Sequence, residues 1–270
     1  MDYKTFDPSD ELTAFIKCFW TLEAPQEVEP EKQRIVPDGC MEMIFHYGNL
    51  FRQYNGSENF IQPRCFVFGQ ITSPLDIEPT GATSIFAVRF FPDGFTPFAT
   101  MPLIKMENRP VALSELYGEE GVILEQEMMS LLSNEERIQI LENFFLKKLV
   151  TPDAIDRLVK SSIETIIDLN GNLSVGELSD QLNINRRQLE RKFHSVIGLS
   201  PKQLSKIVRL QSSLKMLANK DSVNLGEVAL ESNFYDQSHF IKDFKEFTGM
   251  NPGNFYANNL KMSSLFSSAE

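Results

Sequence analysis

Arg187, Glu190 and Arg191 are grouped at helical spacing, and a second group, Gln237, Ser238, Ile241 and Lys242, follows about fifty residues later. These residue types suit base-edge recognition. A guanidinium fork donates two parallel hydrogen bonds to guanine O6 and N7, a carboxylate accepts from cytosine N4, and a carboxamide pairs with adenine N6 and N7. Arg186 belongs to the same basic group, and Lys202, Lys206 and Lys245 suit phosphate contacts, which position a protein on a duplex without specifying sequence. A solvated charged face would look the same in one helix alone, so the weight falls on the repetition.

The elements that must carry these groups are legible. "NINRRQLERKFHSVIGLSPKQL", residues 183–204, places Leu189, Arg191, Phe193, Gly198 and Pro201 at the intervals that Phe240, Lys242, Phe244, Gly249 and Pro252 keep in "NFYDQSHFIKDFKEFTGMNPGNFY", residues 233–256. The offset is 51 each time. At about 100° per residue, Leu189, Phe193 and Val196 share one face of a helix, with Arg187, Glu190, Arg191 and His194 opposite. Phe240, Phe244 and Phe247 form the matching stripe of the second unit, and Ser238, Ile241, Lys242 and Lys245 face away.

Each such helix follows a shorter one across a tight turn, which is helix-turn-helix spacing: 174–182 then 185–196, and 224–232 then 236–247. Asn183 and Asn233 sit near the turns, where Asn tolerates a left-handed backbone. Ser174/Glu177, Asn185/Gln188, Ser200/Gln203 and Asn224/Glu227 have capping-box spacing, and Thr151-Pro152, Asp236 and Asn251-Pro252 read as further helix starts, giving seven helices. Leu204, Ile207, Leu210, Leu214 and Leu217 recur every three or four residues, which predicts one linker helix of about 19 residues, roughly 28 Å long. One turn of DNA rises about 34 Å, so such a linker suits two helices entering successive major grooves.

Charge follows the same division. The net charge of −11 speaks against nucleic acid, but residues 151–270 carry 14 basic and 14 acidic side chains, so the excess acid lies wholly in residues 1–150. Between Asn185 and Leu210, seven basic residues face one acid, Glu190, a local surplus that suits phosphate.

Residues 153–257 resemble the DNA-binding domain of AraC/XylS-family transcription regulators. The residues that carry the resemblance are "LSVGELSDQLNINRRQLERKFHSVIGLSPKQL", Arg209 in the linker, and "GEVALESNFYDQSHFIKDFKEFTGMNPGNFY". It implies an all-α domain over 151–260 of two helix-turn-helix units joined by a long linker helix; the serine-rich tail, 261–270, reads as flexible from its composition and terminal position. By position in the family's motifs, Arg187, Glu190 and Arg191 fall on the base-reading side of the first recognition helix, and Gln237, Ser238, Ile241 and Lys242 on that of the second. The sequence departs from the family's pattern at Asn233, where Gly is common, and after Phe255-Tyr256, where an Arg is common. The implied partners are double-stranded DNA, RNA polymerase, a small-molecule effector and a second copy of the chain. Activation and repression are both open.

Residues 1–150 read as the β-rich part of an α+β chain. "PDGCMEMIFHYGN" alternates after a turn, with Cys40, Glu42, Ile44 and His46 on one face and Met41, Met43, Phe45 and Tyr47 on the other. "CFVFGQ" and "TSIFAVRFFPDGF" are further strands, and "ITSPLDIEPTGA" reads as a turn-rich connection. From about Pro97 the period becomes helical; in "SNEERIQILENFFLKKL", Ile138, Leu141, Phe145 and Leu149 form a stripe that packs on its own domain or seams a dimer. The expectation is a barrel or sandwich with trailing helices, resembling the family's effector or dimerisation domains. Glu42, His46 and Arg89 are polar residues on apolar strands, read either as locally satisfied or as the lining of a ligand pocket.

Three cysteines, Cys18, Cys40 and Cys65, show no metal or disulfide spacing, which speaks against the alternative of a DNA-repair methyltransferase fusion, whose zinc-bound cysteine cluster a chain without bound zinc would rule out. No cofactor, metal site or catalytic motif is expected. With no leader-like start and no run of 18 apolar residues, the chain reads as cytoplasmic. Control by a small molecule and control by a protein partner both stay open.

Overall fold

The computed structural model describes residues 1–149, 156–218, 225–232, 234 and 236–255. Its first part is built on two antiparallel sheets. The larger has the order β1 (Asp2–Phe6), β2 (Ile16–Ala24), β9 (Thr83–Phe90), β4 (Glu42–His46), β7 (Cys65–Phe68), β10 (Pro110–Ala112). The smaller runs β3 (Gln33–Ile35), β8 (Leu75–Pro79), β5 (Phe51–Asn55), β6 (Glu58–Ile61).

Period-two alternation decides what each face of the large sheet meets. Met43, Phe45, Phe86, Val88 and Phe90 point into a core shared with the helices. Cys18, Trp20, Leu22, Ile85 and Ala87 point the other way, toward Phe51 and Ile77 of the smaller sheet. Register couples the strands that matter for the cavity between the sheets: Glu42 lies opposite Arg89, and Ile44 opposite Ala87.

Two readings of this part need correction. The segment taken as a turn-rich connection contains β8, which pairs with both β3 and β5; Leu75 and Ile77 alternate with Asp76 and Glu78, a strand signal crowded by flanking Pro and Gly. The helical period also starts later than Pro97. Short 3₁₀ turns at Thr96–Phe98 and Leu103–Met106 and strand β10 come first, and then α1 (Leu113–Tyr117), α2 (Glu119–Ser130) and α3 (Asn134–Lys148). Ser133 and Glu136 form a complete capping box on α3. Leu141 and Phe145 of its stripe are fully buried, with Ile138 and Leu149 packed beside them, so this stripe is consumed within its own domain.

The second part is helical: α4 (Arg157–Asp168), α5 (Val175–Gln181), α6 (Arg186–Val196), α7 (Pro201–Ala218), α8 (Leu225–Glu231) and α9 (Gln237–Thr248), with a helical turn opening at Pro252. The starts expected at Thr151-Pro152 and Asn224, the turn residue Asn233, Tyr256 and the tail lie outside the described residues. Asp156 caps α4, accepting from the amides of Leu158 and Val159. Ser174 and Ser200 make the expected caps with Glu177 and Gln203. The Asn185 side chain accepts from Arg187 N, and its backbone carbonyl accepts from Gln188 N at 2.9 Å. All five linker apolar residues, Leu204 to Leu217, are buried in one core with Leu189, Phe193, Phe240 and Phe244.

Candidate nucleic-acid interface and inter-sheet cavity

The two units repeat in three dimensions as they do in sequence. Leu189 and Phe240 are fully buried at equivalent positions, as are Phe193 and Phe244. Leu178 and Ser179 of α5 have buried counterparts in Val228 and Ala229 of α8, small second residues that let helices approach closely. Gly198 and Gly249 both take a left-handed backbone, φ 80° and 71°, where the chain leaves α6 and α9.

With one face of each helix fixed, the other is open. Arg186, Arg187 and Arg191 are exposed on α6, and Gln237, Ser238, Lys242 and Lys245 on α9, while Glu190 and Ile241 are half-buried. Glu190 accepts from Arg186 Nε at 3.1 Å, an exposed pair one helical turn apart that exchange with a base edge can break. Lys202 is exposed. Lys206 is not similarly placed: its ammonium bridges Asp243 at 3.2 Å and Glu246 at 3.0 Å, tying α7 to α9.

Glu42, His46 and Arg89, separate suggestions in the sequence, line one cavity between the sheets. About 100 Å³ of it is open to the centres of water-sized spheres, room for a small molecule. Arg89 donates to Glu42 Oε1 at 3.0 Å and to Asp38 Oδ2, and Trp20 Nε1 donates to Glu42 Oε1 at 3.3 Å. Burial pushes the Glu42 carboxyl up to about 7 against the pull of Arg89. Burial opposes the Arg89 charge too, yet Asp38 and its neighbours hold its pKa well above the ordinary value. Burial, helped by the charge of Arg64, lowers His46 to about 4, so its ring is neutral. Neither of its nitrogens has a hydrogen-bond partner of normal geometry, although the Gln62 amide lies close enough to favour the protonated ring.

Sequence reasoning missed several residues here. Asp38 looked like part of a turn, and Arg34 lay in a charged stretch with no period. Arg34 binds Asp76 through Nε and Nη2, both at 2.6 Å, and donates from Nη1 to the Thr248 carbonyl at the end of α9, 3.0 Å away. Thr96 Oγ1 donates to the Val196 carbonyl at the end of α6. Gln211 of α7, itself a cavity wall, donates to the Pro37 carbonyl at 2.7 Å, and Val36 is buried in the helical core. The strand-rich part thus holds the C-terminal ends of both recognition-type helices. Only the folded chain could reveal pairs that lie 100, 174 and 214 residues apart.

Among the described residues no group of three or more His, Cys, Asp or Glu side chains could hold a metal ion. Cys18, Cys40 and Cys65 are free thiols. No described helix is long and apolar enough to cross a membrane.

Comparison with known proteins agrees with this geometry. Residues 178–258 match a family described as a helix-turn-helix domain, and residues 4–112 match a domain of unknown function, DUF6597. The chain is 25% identical over 211 residues to the uncharacterized HTH-type transcriptional regulator YidL of Escherichia coli, covering 73% of this chain and 68% of that protein. It is 32% identical over 101 residues to the HTH-type transcriptional regulator MtrA of Neisseria gonorrhoeae, covering 37% of this chain and 33% of MtrA. Its fold is similar to that of ToxT from Vibrio cholerae, with a TM-score of 0.50 and 14% identity over 88% of this chain and 98% of ToxT. Two tandem helix-turn-helix units on one linker helix, behind a strand-rich domain and matched by these regulators, make the chain a helix-turn-helix DNA-binding transcription regulator that is similar to those of the AraC type.

Proposed function

We propose that α6 and α9 enter successive major grooves on one side of a DNA duplex, and that a small molecule in the inter-sheet cavity modulates this binding. The carrying observation is the exposure of Arg187 and Arg191 on α6 and of Gln237, Ser238 and Lys242 on α9, while their helices' apolar stripes are buried at positions 51 residues apart. Helix α7 has 18 residues, about 27 Å at the usual rise, which suits the roughly 34 Å turn of DNA.

In this reading Arg187 and Arg191 donate to guanine, Glu190 accepts from cytosine once released from Arg186, and Gln237 pairs with adenine. Ile241 suits contact with a thymine methyl, and Ser238 and Lys242 complete the second reading face. Arg186, Lys202 and Lys245 hold phosphates. Lys206 is assigned to the α7–α9 clamp. The cavity favours a small molecule over a protein partner as the signal, because the polar groups that would meet the ligand are enclosed between two sheets.

Site selection from a random DNA library with the full chain, repeated with Arg191→Ala, tests the DNA half of the proposal. One enriched site is expected, with the variant binding it about 1 to 3 kcal/mol more weakly and losing preference at a single position. Equal weakening on the selected and on random DNA would remove Arg191 from the reading face.

A further inference from the structure

The chemistry of the cavity narrows what it can accept, an inference that rests on the sensor reading above. Much of the wall is apolar or aromatic, including Trp20, Ile44, Phe51, Phe68 and Ile77. A ligand's orientation must therefore come from a few polar groups.

Both guanidinium groups in the wall are already matched to protein acids. Arg34 is bidentate on Asp76, and its remaining Nη1 serves Thr248. Arg89 is held between Asp38 and Glu42. Among the described residues no lysine lines the cavity. A ligand carboxylate would have to displace a half-buried protein carboxylate to find a cation, and would then leave that group uncompensated. Two carboxylates against one guanidinium at the Asp38–Arg89–Glu42 cluster leave a surplus acceptor. Glu42 takes both Trp20 and Arg89 on Oε1, so Oε2 is the oxygen left for a ligand.

A second observation points to a ligand independently. His46 is 2% exposed, lines the same cavity, and has two nitrogens lacking normal hydrogen-bond geometry. It lies on the same face of β4 as Glu42 with Ile44 between them, so the two polar groups stand at opposite ends of an apolar floor. A neutral imidazole offers one donor and one acceptor there.

We propose that the cavity binds a small amine with an apolar body, its ammonium seated on Glu42 and Asp38, its body on Ile44, Trp20 and Phe51, and a hydrogen-bonding group at its other end meeting His46. The indole and phenyl faces add attraction for the cation. The binding ammonium also holds Glu42 in its ionised form, which burial alone disfavours.

The test is thermal unfolding of the full chain with three molecules of one skeleton at millimolar concentration: tyramine, 3-(4-hydroxyphenyl)propionate and 2-(4-hydroxyphenyl)ethanol. Hexylamine, hexanoate and hexanol form a second set. The amines are expected to raise Tm by several degrees and the carboxylates to leave it unchanged. Glu42→Gln should weaken amine binding at least tenfold, with Asp38→Asn giving the same loss if the first variant does not fold. Ile44→Trp, which fills the floor, should abolish the shift.

Stabilisation by the carboxylates or alcohols instead, lost in Ile44→Trp, would overturn the amine assignment and leave the sensor reading standing. An amine shift that survives Ile44→Trp would also overturn the assignment, as would no shift from any of the six molecules. The sensor reading itself falls if Ile44→Trp leaves regulation of a reporter promoter unchanged in cells.

Discussion

The pKa values of Glu42 and His46 are shifted in opposite directions within one cavity, and the shifts set opposing trends of stability with pH. Glu42 keeps a proton in the folded chain up to about 7, whereas its ordinary value is 4.5, so between those values the folded state binds the extra proton and stability falls as pH rises. His46 is the reverse: from 6.5 down to about 4 the unfolded chain takes a proton that the folded ring refuses, so stability falls as pH is lowered. The two trends offset each other in the native protein. We therefore expect Glu42→Gln to lose stability steadily from about pH 6.5 to 4, and His46→Asn to gain it from about pH 7 to 4.5, in urea titrations across that range. Parallel pH profiles for the two variants would show that the cavity does not set these pKa values. The lysines separate in the same single-residue way. Lys202→Ala should weaken binding to all DNA and lower the salt slope by about 1. Lys206→Ala should instead destabilise the α7–α9 contact by about 1 kcal/mol, because its ammonium faces Asp243 and Glu246.

At the scale of the element, the repeat makes its own control. Gly198 and Gly249 terminate α6 and α9 in the same left-handed conformation, but a methyl group would meet different things. At Gly198 it would lie 3.3 Å from the Leu103 backbone; at Gly249 it would lie 3.0 Å from the tip of Arg34, the atom bonded to Thr248. Alanine at either site should cost about 1 to 2 kcal/mol from backbone strain. Only Gly249→Ala should also displace Arg34, so its loss should shrink in an Arg34→Ala background while that of Gly198→Ala stays the same. Such elements were legible in the sequence because each carries its own signal: the 51-residue offset, the Ser174 and Ser200 caps, and the leucine stripe of α7. Strand β8 was not, since Pro74 and Pro79 outweighed a short alternation that only pairing with β3 and β5 stabilises. The cavity was half legible. Alternation put Glu42 and His46 on one face, but that this face is covered by a second sheet depends on non-local pairing, and Asp38 and Arg34 have no periodic signature.

At the scale of the whole molecule, three side chains link the strand-rich part to the helical part by hydrogen bonds. Arg34 binds the end of α9, Thr96 the end of α6, and Gln211 ties α7 to Pro37 at the cavity rim. Each bond is worth roughly 1 kcal/mol, and somewhat more for the charged Arg34. Together they supply about 3 to 5 kcal/mol of coupling, comparable with a large share of the 5 to 15 kcal/mol that keeps a typical domain folded. Val36, buried among the helices, adds an apolar contact that survives their removal. This coupling also bounds signalling, because a ligand in the cavity can alter DNA affinity only through the contacts that differ between its bound and free states. The native chain should therefore unfold in one calorimetric transition. The triple variant Arg34→Ala, Thr96→Val, Gln211→Ala should unfold in two, with the less stable half melting first while the buried cores of both stay intact. A single transition retained in the triple variant would place the coupling in the apolar contacts around Val36, and Val36→Ala added to it should then produce the split.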